Sequence, residues 1–167
     1  NTMFAMPETG IGFFPDVGGT WFLPRMPKET GTYCALSAGR LKQGDALETG
    51  VLTHTTSRQK LLALMKALET SDDIDATLRN FHVDAEPSEL MARAELIENI
   101  FSAASVVEVM DRLDACEDPW GQKVAAGIRS KSPTSVHLAF EQMRRGARLD
   151  FSGCMRLEYR IVTKILE

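Results

Sequence analysis

Residues 4–19 read Phe4-Ala5-Met6-Pro7-Glu8-Thr9-Gly10-Ile11-Gly12-Phe13-Phe14-Pro15-Asp16-Val17-Gly18-Gly19. This stretch places two carboxylates, Glu8 and Asp16, on a glycine-rich loop that follows a short apolar, strand-like run. Pro7 fixes the backbone φ angle before Glu8, so the Glu8 side chain is predicted to extend from a stiff corner. Glycines allow positive φ and close approach of the backbone to a ligand. The pattern is typical of one half of an active site.

The composition is that of a globular domain. The sequence has 167 residues, of which 44% are hydrophobic, which is enough to bury the core of one ordinary domain. No apolar run approaches the ~20 residues that a membrane-spanning helix needs. The net charge of -4 argues against nucleic acid as the main partner, because phosphate binding generally requires a basic face. A small anionic ligand would need only a local cluster of Lys or Arg.

Cysteine and histidine usage argues against a metal site. Cys34, Cys116 and Cys154 are far apart and form no CxxC motif, which fits a reducing compartment. Cys34 and Cys154 lie in helical patterns and are predicted to be buried thiols. The sequence has no HExxH motif and no nucleophile at a recognisable elbow, so the histidines are predicted to be packed or surface residues. These are His54, His82 and His137.

The opening motif resembles the crotonase (enoyl-CoA hydratase/isomerase) superfamily, and within it the 3-hydroxyisobutyryl-CoA hydrolases more closely than the hydratases. The resemblance is close over residues 2–25. Hydratases carry a similar Pro-Glu corner but usually continue Pro-Gly-x-Gly-Gly-Thr, where this chain reads Pro15-Asp16-Val17-Gly18-Gly19-Thr20. Asp16 therefore favours the hydrolases. Later landmarks of the same hydrolases follow in the same order at residues 34–42, 46–54, 130–135 and 157–160.

The resemblance implies an α/β crotonase-like (ββα spiral) fold. This segment of it is expected to be mostly α-helical, with a short strand at the start and another near residue 52. Residues 1–57 would be the C-terminal part of the crotonase core with the catalytic loop, and residues 58–167 a helical region covering the acyl-CoA site. The family builds its oxyanion hole from loops in the amino-terminal half, and nothing here matches them. The sequence is therefore expected to be the C-terminal part of a longer protein.

Local signals predict where the helices lie. A helix from about Glu29 is expected to end at Gly39 in the left-handed C′ position, and the next, over residues 44–49, to be closed by Gly50. The weak alternation of residues 51–55 suggests the second strand. From Arg58 the pattern is almost purely helical, beginning with an apolar stripe at the 3.6-residue period: Leu61, Leu64, Met65 and Leu68.

Caps and prolines mark the later helices. Ser105 and Glu108 have the spacing of a capping box. Asp118-Pro119 and Ser132-Pro133 each place a capping residue before a proline at the first helical position. The last helix is expected from about Asp150, with an apolar stripe at Met155, Tyr159, Val162 and Leu166. Arg144, Arg145 and Arg148 lie at a helix end and are expected to face solvent, a contact with CoA phosphates being the alternative.

The resemblance implies that Glu8 is the catalytic carboxylate, acting as general base or as nucleophile through a transient anhydride. The sequence leaves both routes open. A carboxylate held against an apolar wall has a raised pKa and works better as a base. Phe4, Phe13 and Phe14 could supply that wall. The plain alternative is an exposed turn glutamate.

Asp16 matches the position of the second acid of the hydrolases, which is thought to bind the 3-hydroxyl of the acyl group or to help place water. Glu8 and Asp16 are thus expected to be both catalytic and substrate-binding. Asp16 could instead cap the helix that begins after the loop, an arrangement worth ~1 kcal/mol. One residue could do both.

The function implied by the resemblance is hydrolysis of an acyl-CoA thioester, as in the 3-hydroxyisobutyryl-CoA hydrolases of valine breakdown, with no metal or redox cofactor. One alternative is an enoyl-CoA hydratase or isomerase, in which Glu8 moves a proton while the thioester stays intact. Another is a non-catalytic interaction subunit. A glycine-rich oxyanion loop upstream would favour an enzyme.

The expected partners are an acyl-CoA substrate and the N-terminal half of the same protein, with no nucleic acid and no membrane; a homo-oligomer stays open. The compartment would be the cytoplasm in a bacterium and the mitochondrial matrix in a eukaryote. Residues 1–167 alone are expected to be inactive, because loss of even one oxyanion donor commonly lowers the rate ~100-fold or more. Measurable turnover by this segment would contradict that expectation.

Overall fold

The computed structural model describes residues 2–167, and helices dominate it. A strand β1 (Phe4–Ala5) pairs with β2 (Arg40–Leu41). The α-helices, in chain order, are α1 (Gly19–Phe22), α2 (Thr30–Ser37), α3 (Gln43–Glu48), α4 (Leu61–Glu69), α5 (Ile74–Phe81), α6 (Ala94–Phe101), α7 (Val106–Asp114), α8 (Pro119–Arg129), α9 (Pro133–Gly146) and α10 (Phe151–Leu166). Short 3₁₀ turns cover Glu8–Ile11, Leu23–Arg25, Pro27–Glu29, Arg58–Lys60 and Met91–Arg93.

The larger of two compact units comprises Ala5–Arg40 and Arg93–Glu167. In it, α2 packs against α9 and α6, and α1 packs against α10. Burial of apolar side chains is the main force that holds such a unit together. Its fully buried residues include Phe14, Leu23, Leu36, Ile97, Phe101, Leu113 and Met143. Cys34 and Cys154 are also fully buried, which confirms their prediction as packed thiols.

The smaller unit comprises residues 2–4 and Leu41–Ala92 and contains α3, α4 and α5. A buried carboxylate organises it. Asp45 accepts the N–H of Lys42 at 2.9 Å, the N–H of Leu90 at 3.0 Å and the hydroxyl of Ser88 at 2.7 Å. Burial raises the pKa of Asp45, but these hydrogen bonds outweigh it and hold the pKa below its usual value. The predicted boundary at residue 57 separates two regions of the family rather than two compact units, and it stays a prediction.

The predicted strand near residue 52 is wrong, and the second strand lies at Arg40–Leu41 instead. Residues 51–57, which follow α3, form no β-strand pairing. Leu52 donates its N–H back to the carbonyl of Ala46 at 2.9 Å, and Thr55 donates its N–H to His82 Nδ1 at 3.3 Å. The Thr56 hydroxyl donates to the carbonyl of Phe81 at 2.8 Å. Side chains thus compete with strand pairing, as threonines in short segments often do.

The predicted helix starts are confirmed. Asp118, Ser132 and Asp150 accept the N–H groups of Trp120, Ser135 and Gly153, and thereby cap α8, α9 and α10. Ser105 likewise caps α7 by accepting the N–H of Glu108. The capping box is only half formed, because the Glu108 carboxylate accepts the N–H of Ala104 rather than that of Ser105.

The end of α2 differs from the prediction. Ala38, with φ of 56°, takes the left-handed position expected of Gly39. Gly39 has a different constraint, since a Cβ there would lie 2.7 Å from the ring of Tyr33 and that ring would have to move. The constraint on Gly39 is therefore side-chain packing, and not the left-handed backbone conformation that was predicted. Gly50 does close α3 with φ of 79°, as expected.

Two predicted apolar stripes are not buried faces. On α10, Tyr159 is 72% exposed and Leu166 is 78% exposed, whereas the buried positions are Gly153, Cys154 and Glu158. On α4, Leu64 is buried but Leu61 and Met65 are exposed. The α10 prediction failed because it assumed an apolar buried face, and the buried face contains a carboxylate. Within residues 2–167, no helix is both long and apolar enough to cross a lipid bilayer.

Candidate active site

Glu8 is the first residue of a 3₁₀ turn that ends at Ile11. The turn is closed by the N–H of Gly10, which donates to the carbonyl of Pro7 at 2.8 Å, and by that of Phe13, which donates to the carbonyl of Glu8 at 2.9 Å. Gly12 follows in the left-handed conformation with φ of 80°. The backbone that carries Glu8 is therefore held by several local hydrogen bonds, as the proline and glycine pattern predicted.

The Glu8 turn lies against the start of α9. The N–H of Ser132 donates to the carbonyl of Thr9 at 3.4 Å, and Thr9 is fully buried. The amine of Lys131 approaches within 3.6 Å of the point where a Cβ of Gly10 would lie. Two stretches that the resemblance identified separately, residues 4–19 and residues 130–135, thus meet in space.

The Glu8 carboxylate is half-buried, and its Oε2 atom is buried without a hydrogen-bond partner among residues 2–167. Burial raises the pKa of Glu8, its own backbone N–H lowers it, and the nearby charge of Asp16 raises it, so that the net pKa is above the usual value. Buried polar atoms nearly always have a hydrogen-bond partner. A buried carboxylate oxygen without one is typical of a functional site. The predicted raised pKa is confirmed. Phe14 is fully buried, and its ring lies 4.6 Å from that of half-buried Phe13, but their role as the Glu8 wall stays a prediction.

Asp16 begins a strained turn. Val17 has φ of 53° and Gly18 has φ of 91°, so two consecutive residues are left-handed. This conformation costs an L-residue roughly 1–2 kcal/mol, and a β-branched valine is an uncommon occupant. Val17 is also 86% exposed, so its side chain is not held there by packing. Such strain persists only where the surroundings impose it, and it clusters at functional sites.

Asp16 is not a helix cap, which corrects one of the two predicted roles. The N-cap of α1 is Gly18, no side chain at that position caps the helix, and the Asp16 carboxylate makes no hydrogen bond within residues 2–167. Only the backbone carbonyl of Asp16 is engaged, by the N–H of Gly19 at 2.8 Å. The Asp16 carboxylate is half-buried and interacts electrostatically with Glu8, which leaves it available to a substrate.

Two distant side chains, Glu158 and Gln142, hold the Asp16 turn in place. Glu158 of α10 accepts the N–H of Gly18 at 3.1 Å and that of Thr20 at 3.0 Å, one on each carboxylate oxygen. Gln142 of α9 donates to the carbonyl of Pro15 at 2.5 Å and to the hydroxyl of Thr20 at 2.6 Å. The sequence interpretation missed both residues. The only available signal was that Glu158 lies within the landmark at residues 157–160.

The remaining titratable candidates have structural or surface positions. His137 is exposed, and His54 and His82 are half-buried with ring centres 5.9 Å apart, which confirms their prediction as packed or surface residues. Arg144 corrects the prediction of a solvent-facing side chain, because it forms an ion pair with Glu29 at 3.0 Å and donates to the carbonyls of Phe101 and Ala103. Across residues 2–167, no three His, Cys, Asp or Glu side chains cluster closely enough to hold a metal ion.

Sequence comparison places this chain in a known family. A model of the enoyl-CoA hydratase/isomerase family matches residues 1–167, the whole of this sequence. The chain belongs to that family. Similar solved structures include a carnitinyl-CoA dehydratase from Mycobacterium thermoresistibile, with a TM-score of 0.89 and 32% identity over 95% of this chain and 47% of the other. An enoyl-CoA hydratase from Rhodobacter sphaeroides 2.4.1 matches with a TM-score of 0.82 and 28% identity, over 95% of this chain and 45% of the other. The predicted crotonase-like fold is thereby confirmed.

Two curated relatives carry the name "3-hydroxyisobutyryl-CoA hydrolase, mitochondrial". The Dictyostelium discoideum relative is 40% identical over 176 residues, which cover 100% of this chain and 46% of the relative. The Danio rerio relative is 39% identical over 170 residues, which cover 96% of this chain and 44% of the relative. The chain therefore spans about half the length of the curated relatives it matches. The predicted likeness to these hydrolases is confirmed.

Proposed function

We propose that the whole protein is a 3-hydroxyisobutyryl-CoA hydrolase, which converts 3-hydroxyisobutyryl-CoA and water to 3-hydroxyisobutyrate and CoA. The observation that carries this proposal is the buried, unpartnered Glu8 oxygen beside a second carboxylate, Asp16, that has no structural hydrogen bond. The names of the relatives at 40% and 39% identity support it. The compartment would be the mitochondrial matrix in a eukaryote and the cytoplasm in a bacterium.

Glu8 supplies the basic oxygen of the reaction by one of two routes. As a general base, it takes a proton from a water molecule whose oxygen attacks the thioester carbonyl, and the C–S bond then breaks to release CoA. As a nucleophile, its own oxygen attacks, CoA leaves, and water hydrolyses the resulting mixed anhydride. A raised pKa strengthens Glu8 as a base in the first route and as a nucleophile in the second. Neither route uses a metal or a redox cofactor.

Asp16 positions the substrate or the water. Its free carboxylate can accept a hydrogen bond from the 3-hydroxyl of the acyl group or from the attacking water. Its charge also raises the pKa of Glu8, so that the two carboxylates act as an electrostatically coupled pair. The rest of the protein would supply the oxyanion hole, which polarises the thioester carbonyl.

The test is CoA thiol release by the full-length protein from 3-hydroxyisobutyryl-CoA, with hydration of crotonyl-CoA followed in parallel. Isobutyryl-CoA, which lacks the 3-hydroxyl, is the matched substrate control. Thiol release without hydration supports the hydrolase. Hydration without thiol release would instead identify a hydratase, the candidate that the names of both structural neighbours favour. Absence of activity in both assays would favour a non-catalytic subunit.

Substitution of Asp16 by asparagine is expected to shift the pH dependence of the residual activity. Because the Asp16 charge raises the pKa of Glu8, its removal lowers that pKa, and the acidic limb of the profile of kcat/KM against pH moves to lower pH. Thiol release by Asp16→Asn across pH 4–8 measures this. Glu141→Gln is the control, since Glu141 is an exposed carboxylate on α9. An unmoved acidic limb in Asp16→Asn would show that the two carboxylates are not coupled.

A further inference from the structure

Arginines line a concave surface pocket of about 420 Å³ between the end of α9 and the first half of α10. Two leucines and a glycine line the pocket together with the arginines. It belongs entirely to the larger compact unit and contains none of the residues that hold Glu8 or Asp16. The lining residues are Arg145, Arg148, Leu149, Gly153, Arg156, Leu157 and Arg160.

The positive charge of this pocket is poorly neutralised. Arg145 has one carboxylate partner, Glu141, at 3.7 Å, and both side chains are largely exposed. Arg156 donates to the hydroxyl of Ser152 at 2.7 Å, which offsets no charge. Arg148 and Arg160 form no ion pair within residues 2–167. A guanidinium stays charged at any physiological pH, so the pocket lining carries four permanent positive charges in a chain whose net charge is -4.

Hydrogen bonds hold the backbone of two lining residues, Leu149 and Gly153. The Asp150 carboxylate accepts the N–H of Gly153 at 2.6 Å, and Arg25 donates to the carbonyl of Leu149 at 2.8 Å. A Cβ on Gly153 would lie 2.8 Å from Asp150 Oδ1 and 3.3 Å from the Leu149 side chain, so the turn and the helix are in close contact there. A ligand would meet a largely preformed surface, which lowers the entropy cost of binding.

We propose that this pocket binds a small ligand that carries two adjacent phosphate groups. The guanidinium fork matches phosphate oxygens in pairs, and arginine is the preferred residue for such bidentate contacts. The volume falls in the range of small-molecule sites, and the Leu149 and Leu157 side chains suit an organic group attached to the phosphates. The nucleotide end of CoA is one source of this chemistry and a free phosphorylated metabolite is another. The proposal does not depend on the hydrolase reaction.

Calorimetric titration of the full-length protein with inorganic pyrophosphate tests the proposal. The double variant Arg156→Glu, Arg160→Glu is expected to bind at least about 10-fold more weakly than wild type, because each charge-assisted hydrogen bond contributes more than a neutral one. The control double variant Arg79→Glu, Lys123→Glu makes the same change of charge at exposed positions and should bind as wild type does. Raising the ionic strength should weaken binding in wild type.

Two further measurements separate the outcomes. Arg156→Gln, Arg160→Gln removes the charges without reversing them, and circular dichroism checks that every variant is folded. If CoA displaces pyrophosphate, the ligand is the nucleotide end of the substrate; if it does not, the ligand is a separate phosphorylated molecule. Absence of pyrophosphate binding in wild type, or equal weakening in the pocket and control variants, overturns the proposal. Thiol release measured on the same samples reports separately on the hydrolase.

Discussion

Replacement of Glu8 by glutamine is expected to lower thiol release from 3-hydroxyisobutyryl-CoA by roughly 10²–10⁴-fold, the usual contribution of a positioned general acid or base. Glutamine has nearly the same shape but can neither take a proton from water nor form an anhydride. The turn that carries residue 8 is held by backbone hydrogen bonds that this substitution does not remove. The loss should therefore appear in kcat, and it is measured by single-turnover thiol release in the full-length protein.

The same substitution should not destabilise the fold. The pKa of Glu8 is raised in the folded protein, so the proton binds more tightly to the folded than to the unfolded state. The stability linked to that proton is present below the unfolded pKa and is lost as the pH rises through the folded pKa. At pH 7 the ionised Glu8 thus costs stability, and the neutral glutamine removes that cost. Glu8→Gln should melt at or above the wild-type temperature at pH 7.

An exposed glutamate provides the matched control. Glu69→Gln makes the same chemical change on the surface of α4 and should leave both thiol release and melting temperature unchanged. If Glu8→Gln lowered the melting temperature substantially, Glu8 would have a structural role that the unpartnered oxygen argues against. If it retained wild-type turnover, Glu8 could not be the catalytic carboxylate.

Features encoded by adjacent residues could be predicted from the sequence. The starts of α8, α9 and α10 follow from Asp118, Ser132 and Asp150, because a cap needs only its own side chain and the next turn of backbone. The corner at Glu8 follows from Pro7 and the glycines for the same reason. The raised pKa of Glu8 could be predicted as well, since it requires only that the loop be partly buried.

Features set by distant packing could not be predicted in this way. Ala38 rather than Gly39 is left-handed, and a Cβ on Gly39 would meet the ring of Tyr33, which lies six residues earlier in the sequence. Residues 51–55 alternate weakly like a strand, but the hydrogen bonds of Thr55 and Thr56 go to residues 81–83, more than 20 positions later in the sequence. Asp16 looked like a cap because no local residue competed for the N–H groups of α1.

Glu158 shows most clearly why part of the site was missed. It is separated from Thr20 by 138 positions in the sequence, and on a helix whose other residues suggested an apolar stripe it resembled an ordinary surface glutamate. Its burial follows from the two N–H groups at the start of α1, which a carboxylate satisfies completely. Because the N–H of Gly18 belongs to the strained turn that begins at Asp16, we infer that Glu158 is a positioning residue for Asp16.

Replacement of Glu158 by alanine is accordingly expected to lower both stability and activity. The N–H groups of Gly18 and Thr20 lose their acceptor, and an unsatisfied buried donor costs about 1–3 kcal/mol, so a loss of roughly 2–4 kcal/mol is expected for the pair. The strained turn at Val17 and Gly18 would then relax, which displaces Asp16. Small misplacements of this kind can lower kcat by roughly 10²-fold. Urea unfolding and thiol release measure the two effects.

The choice of substrate separates positioning from simple destabilisation. If Asp16 binds the 3-hydroxyl, wild type should prefer 3-hydroxyisobutyryl-CoA to isobutyryl-CoA, and Glu158→Ala should lose much of that preference at a temperature where it is fully folded. Glu158→Gln, which keeps one acceptor oxygen, should lie between wild type and alanine in both stability and preference. Tyr159→Ala, next to it on the exposed face of α10, should resemble wild type. A destabilised Glu158→Ala that kept the full preference would show that Glu158 holds the fold but does not position Asp16.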